Sequence, residues 1–145
     1  MKNIKNIVCG ALIGTVGMML FSIGTFAQGK DFNWLIGYTT SNTINKARIS
    51  YTSNSYTIAS ELRKIPFWET HGNISDENGN LLMSSNGYFI ANATGDTMQN
   101  GSGINPGLFT NDYGPTYGLP LTYANIILPM PGDTSKYMLF HLTAN

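Results

Sequence analysis

Residues 74–90, ISDENGNLLMSSNGYFI, decide the fold class. Three short apolar runs sit around two Asn-Gly steps, Asn78-Gly79 and Asn86-Gly87. Glycine accepts positive φ angles that other residues resist, and aspartate favours the first position of a tight turn. Asp76-Glu77-Asn78-Gly79 therefore reads as one reversal. Asn86-Gly87 reads as a second, the two-residue hairpin type. The spacing predicts strands over 71–75, 81–84 and 88–91, paired in sequence as an antiparallel meander.

Period-two patterning extends to both sides. Trp34, Leu35, Ile36, Gly37 and Tyr38 read as a first strand. Ala47, Ile49 and Tyr51 alternate with Arg48 and Ser50, and Tyr56, Ile58, Ser60 and Leu62 form a matching series beyond a Ser53-Asn54-Ser55 turn. Residues 59–64 would also fit one helical turn stopped by Pro66, but strand is the preferred reading. Residues 92–121 are rich in Asn, Gly, Pro and Thr and carry little periodicity. They read as one long loop, pinned to a surface by Phe109, Tyr113 and Tyr117. Two apolar runs at 123–128 and 137–142, joined by a turn at 129–134, read as strands covered on both faces.

The first residues are not fold. Lys2 and Lys5 precede an uncharged apolar run from Ile7 to Phe26, and Thr25-Phe26-Ala27 supplies small residues for cleavage after Ala27. That is the layout of a signal peptide. An uncleaved membrane anchor is the rival, weakened by Gly10, Gly14, Thr15, Gly17, Ser22 and Gly24 within the run. Cys9, the sole cysteine, precedes most of that run, a poor position for lipidation, and is lost on cleavage. The remaining 28–145 form one domain with six basic and eight acidic residues, net −2. Such a surface has no basic footprint for nucleic acid. Low charge with many Asn, Thr, Ser, Gly and Tyr suits an extracellular β protein.

Few residues point to chemistry. Asp76, Asn78 and Asn80 alternate like a calcium loop, but Gly79 comes too early and no Glu follows, so turn formation explains them. His71 and His141 lack a third ligand at metal spacing. His141 reads as a histidine satisfied by a hydrogen bond in its strand, and His71 as a neighbour of Glu69. Glu61, Glu69, Asp76, Glu77, Asp96 and Asp112 are the carboxylates from which a glycosidase pair would come. No nucleophile elbow or phosphate loop is present. The reading assigns no catalytic residue, metal or cofactor. Asn73-Ile74-Ser75 and Asn92-Ala93-Thr94 match the N-glycosylation pattern. Aromatic faces stack on sugars, so Trp34, Trp68, Tyr88, Phe89, Tyr113, Tyr117 and Tyr123 are weighed as a carbohydrate surface. Trp34 and Phe89 are expected in ordinary packing. Tyr113 and Tyr117, in the long loop, are the candidate ligand contacts.

Four pieces in order, NWLIGY (33–38), ISDENGNLLMSSNGYFIAN (74–92), MQNGSGINPG (98–107) and ANIILPMPGDTSKYMLFH (124–141), resemble the N-terminal part of secreted β-propeller proteins of Bacteroidota. Those proteins usually end in a type IX secretion sorting domain. Met83-Ser84-Ser85 departs from the family's aromatic-tyrosine-threonine. The resemblance implies four-stranded antiparallel blades, about two of them at roughly 40–50 residues each, hence a partial, truncated propeller. Open strand edges would then favour self-association. Asp96-Thr97-Met98 is similar to a Bacteroidota O-glycosylation signal, which makes Thr97 a candidate acceptor. The expectation is an exported, non-catalytic protein at the cell surface or in the medium, for adhesion or for recognition of glycan or protein, and periplasmic if the sorting domain is required. The alternatives are a fragment of a carbohydrate-active propeller enzyme and a decayed fragment without its own function.

Overall fold

The computed structural model describes residues 29–38, 41 and 43–143; residues 1–27, read above as a signal peptide, lie outside the described residues, Cys9 among them. The chain is all-β, built from antiparallel sheets. After a 3-10 turn at Gly29–Asp31, strands β1 (Asn33–Ile36), β2 (Lys46–Tyr51) and β3 (Tyr56–Glu61) form a three-stranded sheet in that order. Strands β4 (Gly72–Ser75), β5 (Leu81–Ser85), β6 (Phe89–Asn92) and β7 (Thr97–Ser102) form a four-stranded meander. Helix α1 (Leu108–Tyr117) follows, and β8 (Asn125–Met130) pairs with β9 (Asp133–His141).

Two of the meander's three reversals are loops of one design. Asp76 Oδ1 accepts the N–H groups of Asn78 and Asn80, each at 2.8 Å. Asn92 Oδ1 accepts those of Thr94 and Asp96, each at 3.0 Å. Gly79 and Gly95 both sit at φ +83° and donate to the carbonyls of Asp76 and Asn92. The short polar side chain thus replaces the missing strand partner inside the turn. Asp76 is committed to its own loop, and the Asn80 side chain, bonded to its other oxygen, leads in holding its carboxyl below the ordinary carboxylate value. Both glycosylation-pattern asparagines are structural: Asn92 caps this loop, and Asn73 Nδ2 donates to Asn33 O at 2.8 Å.

A Cβ on Gly79 would meet the Phe32 ring at 3.1 Å, whereas one on Gly95 would lie 2.6 Å from Arg63 Cβ. Both alanine variants carry the left-handed penalty of roughly 1–2 kcal/mol. Gly95→Ala adds a clash with a buried residue, so its denaturation midpoint is expected to fall clearly further than that of Gly79→Ala. Equal shifts would show that this loop does not bear on Arg63.

The β5–β6 connection differs from the expected two-residue hairpin. Ser85 pairs with Ile90, leaving a four-residue loop, and only Gly87 within it has positive φ, at +80°. A type I′ turn needs positive φ at both central residues. Asn86 instead turns its side chain inward, where Oδ1 accepts from Tyr88 N at 3.1 Å and Phe89 N at 3.2 Å. Its Nδ2 donates to Pro66 O at 3.1 Å.

The long loop expected over 92–121 is also corrected. It holds β7 and α1. Strand β7 is polar and pairs irregularly: two steps on β6, Phe89 to Ala91, face five on β7, Thr97 to Ser102, with Asn100 at φ +59°. A bulged edge strand of this kind has no alternating pattern to read. Helix α1 has no side-chain cap and contains Gly114 and Pro115. Gly114 is there for approach, since a Cβ would lie 2.3 Å from the Tyr88 ring.

The core is small: Leu35, Ile65, Phe67, Leu81 and Ala91, with Phe89 packed against them. Buried polar side chains add to it, across the two sheets at Asn33 and within the three-stranded sheet at Arg63 and Lys46. Asn33, buried, donates to Ser75 Oγ at 2.8 Å and to Gly79 O at 2.7 Å, and accepts from Ser50 Oγ. Arg63, buried, donates to the carbonyls of Ile36 and Ala47 and to Glu61, which also pairs with Arg48 at 2.8 Å. Buried Lys46 donates to Arg63 O at 2.6 Å; its burial, then the Arg63 charge, lower its pKa from the ordinary lysine value.

The expectation that the last two strands are covered on both faces is corrected. Asn125 and Ile127 turn inward, while Ile126, Leu128, Met130 and Phe140 are exposed. A two-stranded sheet lying on its neighbour covers one face only. His141 Nδ1 is buried without a hydrogen-bond partner, contrary to the satisfied histidine expected.

Candidate functional site

Alternation on β1 sends Leu35 into the core and leaves Trp34 and Ile36 outside. The same alternation across β2 and β3 puts Ile49, Tyr51, Tyr56 and Ile58 on the face of Trp34, so this face carries aliphatic and aromatic side chains and no charge on these residues. Trp34 is 58% exposed, not packed as expected. Phe89 does pack on the core.

Beside Trp34, where the three-stranded sheet meets the 65–71 connection, lies a groove of about 480 Å³. Its walls include Trp34, Ile36, Phe67, Trp68, His71 and Tyr123. That volume falls within the roughly 300–1,000 Å³ range of small-ligand sites. Past Trp34 and His71 the surface continues into a smaller depression of about 200 Å³, with Asp31, Asn73 and Asn125 among its lining. One end is therefore aromatic and the other offers carboxylate and amide groups.

Ring contacts extend the aromatic wall. Trp34 meets Tyr51 edge-on at 5.8 Å, Tyr51 lies 6.4 Å from Tyr56, and Trp68 lies 5.1 Å from Tyr117 on α1. Phe67 meets His71 edge-on at 6.1 Å. Tyr117, a sequence candidate, thus backs the groove through Trp68. Tyr113 packs on Phe109 at 5.0 Å and does not line it. Glu69, expected beside His71, instead accepts from Thr122 Oγ1 at 3.2 Å. Thr97 is exposed at the start of edge strand β7.

Tyr123, one of the aromatics weighed as a carbohydrate surface, owes its prominence to its backbone. It stands at φ +56° and is 87% exposed. A bulky side chain in left-handed backbone costs roughly 1–2 kcal/mol and persists only where its surroundings impose it. Here they do. Thr70, buried, donates to Leu121 O, and Leu142 N–H donates to the carbonyl of buried Ala124. Clamped on both sides, the backbone holds the Tyr123 ring over the groove and in solvent.

Four of the six carboxylates considered for hydrolysis, Glu69 on Thr122 among them, are engaged elsewhere. Glu61 pairs with Arg48 and Arg63, Asp96 with Lys64 at 2.5 Å, and Asp76 closes its loop. Among the described residues no group of three or more His, Cys, Asp or Glu side chains is placed to hold a metal, and no helix is long and apolar enough to cross a membrane. Comparison with protein-family models, curated proteins and solved structures gave no match to this chain.

Proposed function

We propose that this chain is an exported, non-catalytic β protein that binds glycan through the aromatic groove, at the cell surface or in the medium. The observation that carries the reading is Tyr123: backbone strain maintained to hold an aromatic ring in water beside Trp34 and Trp68. Sugar rings present C–H faces that stack on such side chains, and their hydroxyls bond to groups like Asp31 and His71 at the polar end. Engagement of Glu61, Asp76 and Asp96 in structural pairs supports recognition over hydrolysis. The β4–β7 meander has the strand number and order of a propeller blade, which supports membership of a propeller-type secreted architecture. Thr97 is the O-glycosylation acceptor on this reading.

The test is a glycan array followed by titration of any hit with soluble oligosaccharide. Trp34→Ala and Trp68→Ala are each expected to weaken binding at least about tenfold, the loss of one stacked ring. Tyr123→Gly carries the sharper expectation: binding falls to a similar extent while thermal stability stays level or rises, because glycine relieves the left-handed strain. If Tyr123→Gly destabilises the fold and leaves binding intact, the ring is structural and the proposal fails.

A further inference from the structure

Strand β3 ends its sheet, and among the described residues no strand pairs with its outer side. Which backbone groups are free there follows from two hydrogen bonds. Tyr51 N–H donates to Phe32 O, toward β1, and Thr52 N–H donates to Ser55 O, across the hairpin. Tyr51 and Tyr56 are therefore a non-hydrogen-bonded pair, and alternation makes Ile49–Ile58 and Ala47–Ser60 the same. The N–H and C=O groups of Tyr56, Ile58 and Ser60 consequently point away from β2, into solvent.

Edges of this sort are normally blunted by proline, lysine or a bulge. Residues 53–60, SNSYTIAS, contain no proline and no charge, and the β2–β3 register is unbroken over its length. Tyr56 and Ile58 are 63% and 67% exposed.

We infer that this edge pairs with the same edge of a second copy, antiparallel, about a two-fold axis through Ile58. The edge is complementary to itself in that register. Ile58 meets its own counterpart, and Tyr56 meets Ser60 of the second copy, so outward-pointing groups meet outward-pointing groups at all three positions. Three such pairs give about six backbone hydrogen bonds, two for each pair. Partners in an antiparallel ladder share a face, so the two Ile58 side chains pack on each other on the apolar side. Glu61 falls opposite Ser55 of the second copy, so no like charges meet. The two copies join into one six-stranded sheet with both Trp34 grooves on one molecule, and two linked sites raise avidity for a repeating ligand. The pairing itself stands independently of the glycan reading.

Sedimentation equilibrium of the full chain tests it. The expected mass is twice that of one chain. Ile58→Lys and Ile58→Glu should each sediment as monomers, and mixing them should restore the dimer, because position 58 faces itself across the axis. Ile58→Pro should also be monomeric with an unchanged far-ultraviolet β signal, since that N–H takes no part in the β2 ladder. A wild-type chain that stays at one-chain mass up to about 100 µM, well above the micromolar scale of a modest interface, overturns the inference. So does a persistent Ile58→Pro dimer, or a Lys–Glu mixture that remains monomeric.

Discussion

Asn86→Ala is expected to cost the fold about 3 kcal/mol, the sum of losing buried hydrogen bonds and stranding their partners. Asn86 is fully buried, and its side chain makes three hydrogen bonds. Its amide oxygen holds the N–H groups of Tyr88 and Phe89, its amide nitrogen holds Pro66 O, and its own carbonyl accepts Leu119 N–H. Gly118 packs on the side chain, where an added Cβ would lie 2.8 Å away. Truncation therefore loosens the β5–β6 loop, the 65–71 connection and the segment after α1 together. Asn86→Asp sharpens the expectation. It keeps the acceptor but sets a second oxygen against Pro66 O where a donor stood. Burial and that repulsion raise the introduced carboxyl's folded pKa above its unfolded value. The variant should then gain stability as pH falls through that raised value, when the protonated carboxyl can donate again, and lose it as pH rises. Urea denaturation across pH reads both effects. A loss below about 1 kcal/mol for Asn86→Ala, the scale of one ordinary hydrogen bond, would show that water replaces these bonds without cost.

Arg63→Ala should destabilise by a similar amount, about 3 kcal/mol, because it orphans two carbonyls and removes one cation from a buried pair. Arg63 is 5% exposed, with Nη2 on Ile36 O and Nη1 on Glu61 Oε1, each at 2.6 Å, and Nη1 on Ala47 O at 3.3 Å. The guanidinium lies 5.4 Å over the Phe67 ring, and the side-chain stem faces Gly95. Its hydrogen bonds therefore tie β1, β2 and the end of β3 together, with the stem packed against the β6–β7 loop. Glu61 keeps Arg48, so the pair is weakened rather than stripped. Arg63→Lys should recover only part of the loss, since one ammonium cannot serve Ile36 O, Ala47 O and Glu61 in the planar fork that Arg provides. Hydrogen exchange should report the damage as faster exchange in β1 and β2 ahead of β5 and β6. Uniform acceleration would mean that Arg63 supports the whole fold and not this junction.

Legibility followed the range of each interaction. The Asp76–Gly79 turn was readable because its bonds close within five residues, and the β2–β3 hairpin because Ser53-Asn54-Ser55 separates two alternating series. The position of the Asn86 turn is legible in the sequence, but its type is not. Its geometry depends on Pro66 and Leu119, distant partners that pull the side chain inward. Strand β7 was missed because a bulged edge borrows its regularity from β6. Helix α1 was missed because Gly114 and Pro115 are poor helix formers, and Gly114 answers to the Tyr88 ring. For the site, of the two loop tyrosines that the sequence offers, Tyr117 lies behind Trp68 and Tyr113 lies away from the groove. Tyr123 stands among the aromatics that the sequence offers for a sugar surface, but its left-handed backbone has no signal in one dimension.

The chain's linear order was enough to determine antiparallel sheets with reversals at 76–79 and 86–87, since glycine's φ freedom and the reach of an Asp or Asn side chain act over a few residues. Tertiary packing alone decided that Trp34 faces outward, that Tyr123 is clamped in a strained conformation, and that these rings with Trp68 enclose one groove. The physical reason is that exposure and strain are set by what presses from elsewhere in the chain: Thr70 on Leu121, Leu142 on Ala124, Arg63 on Ile36.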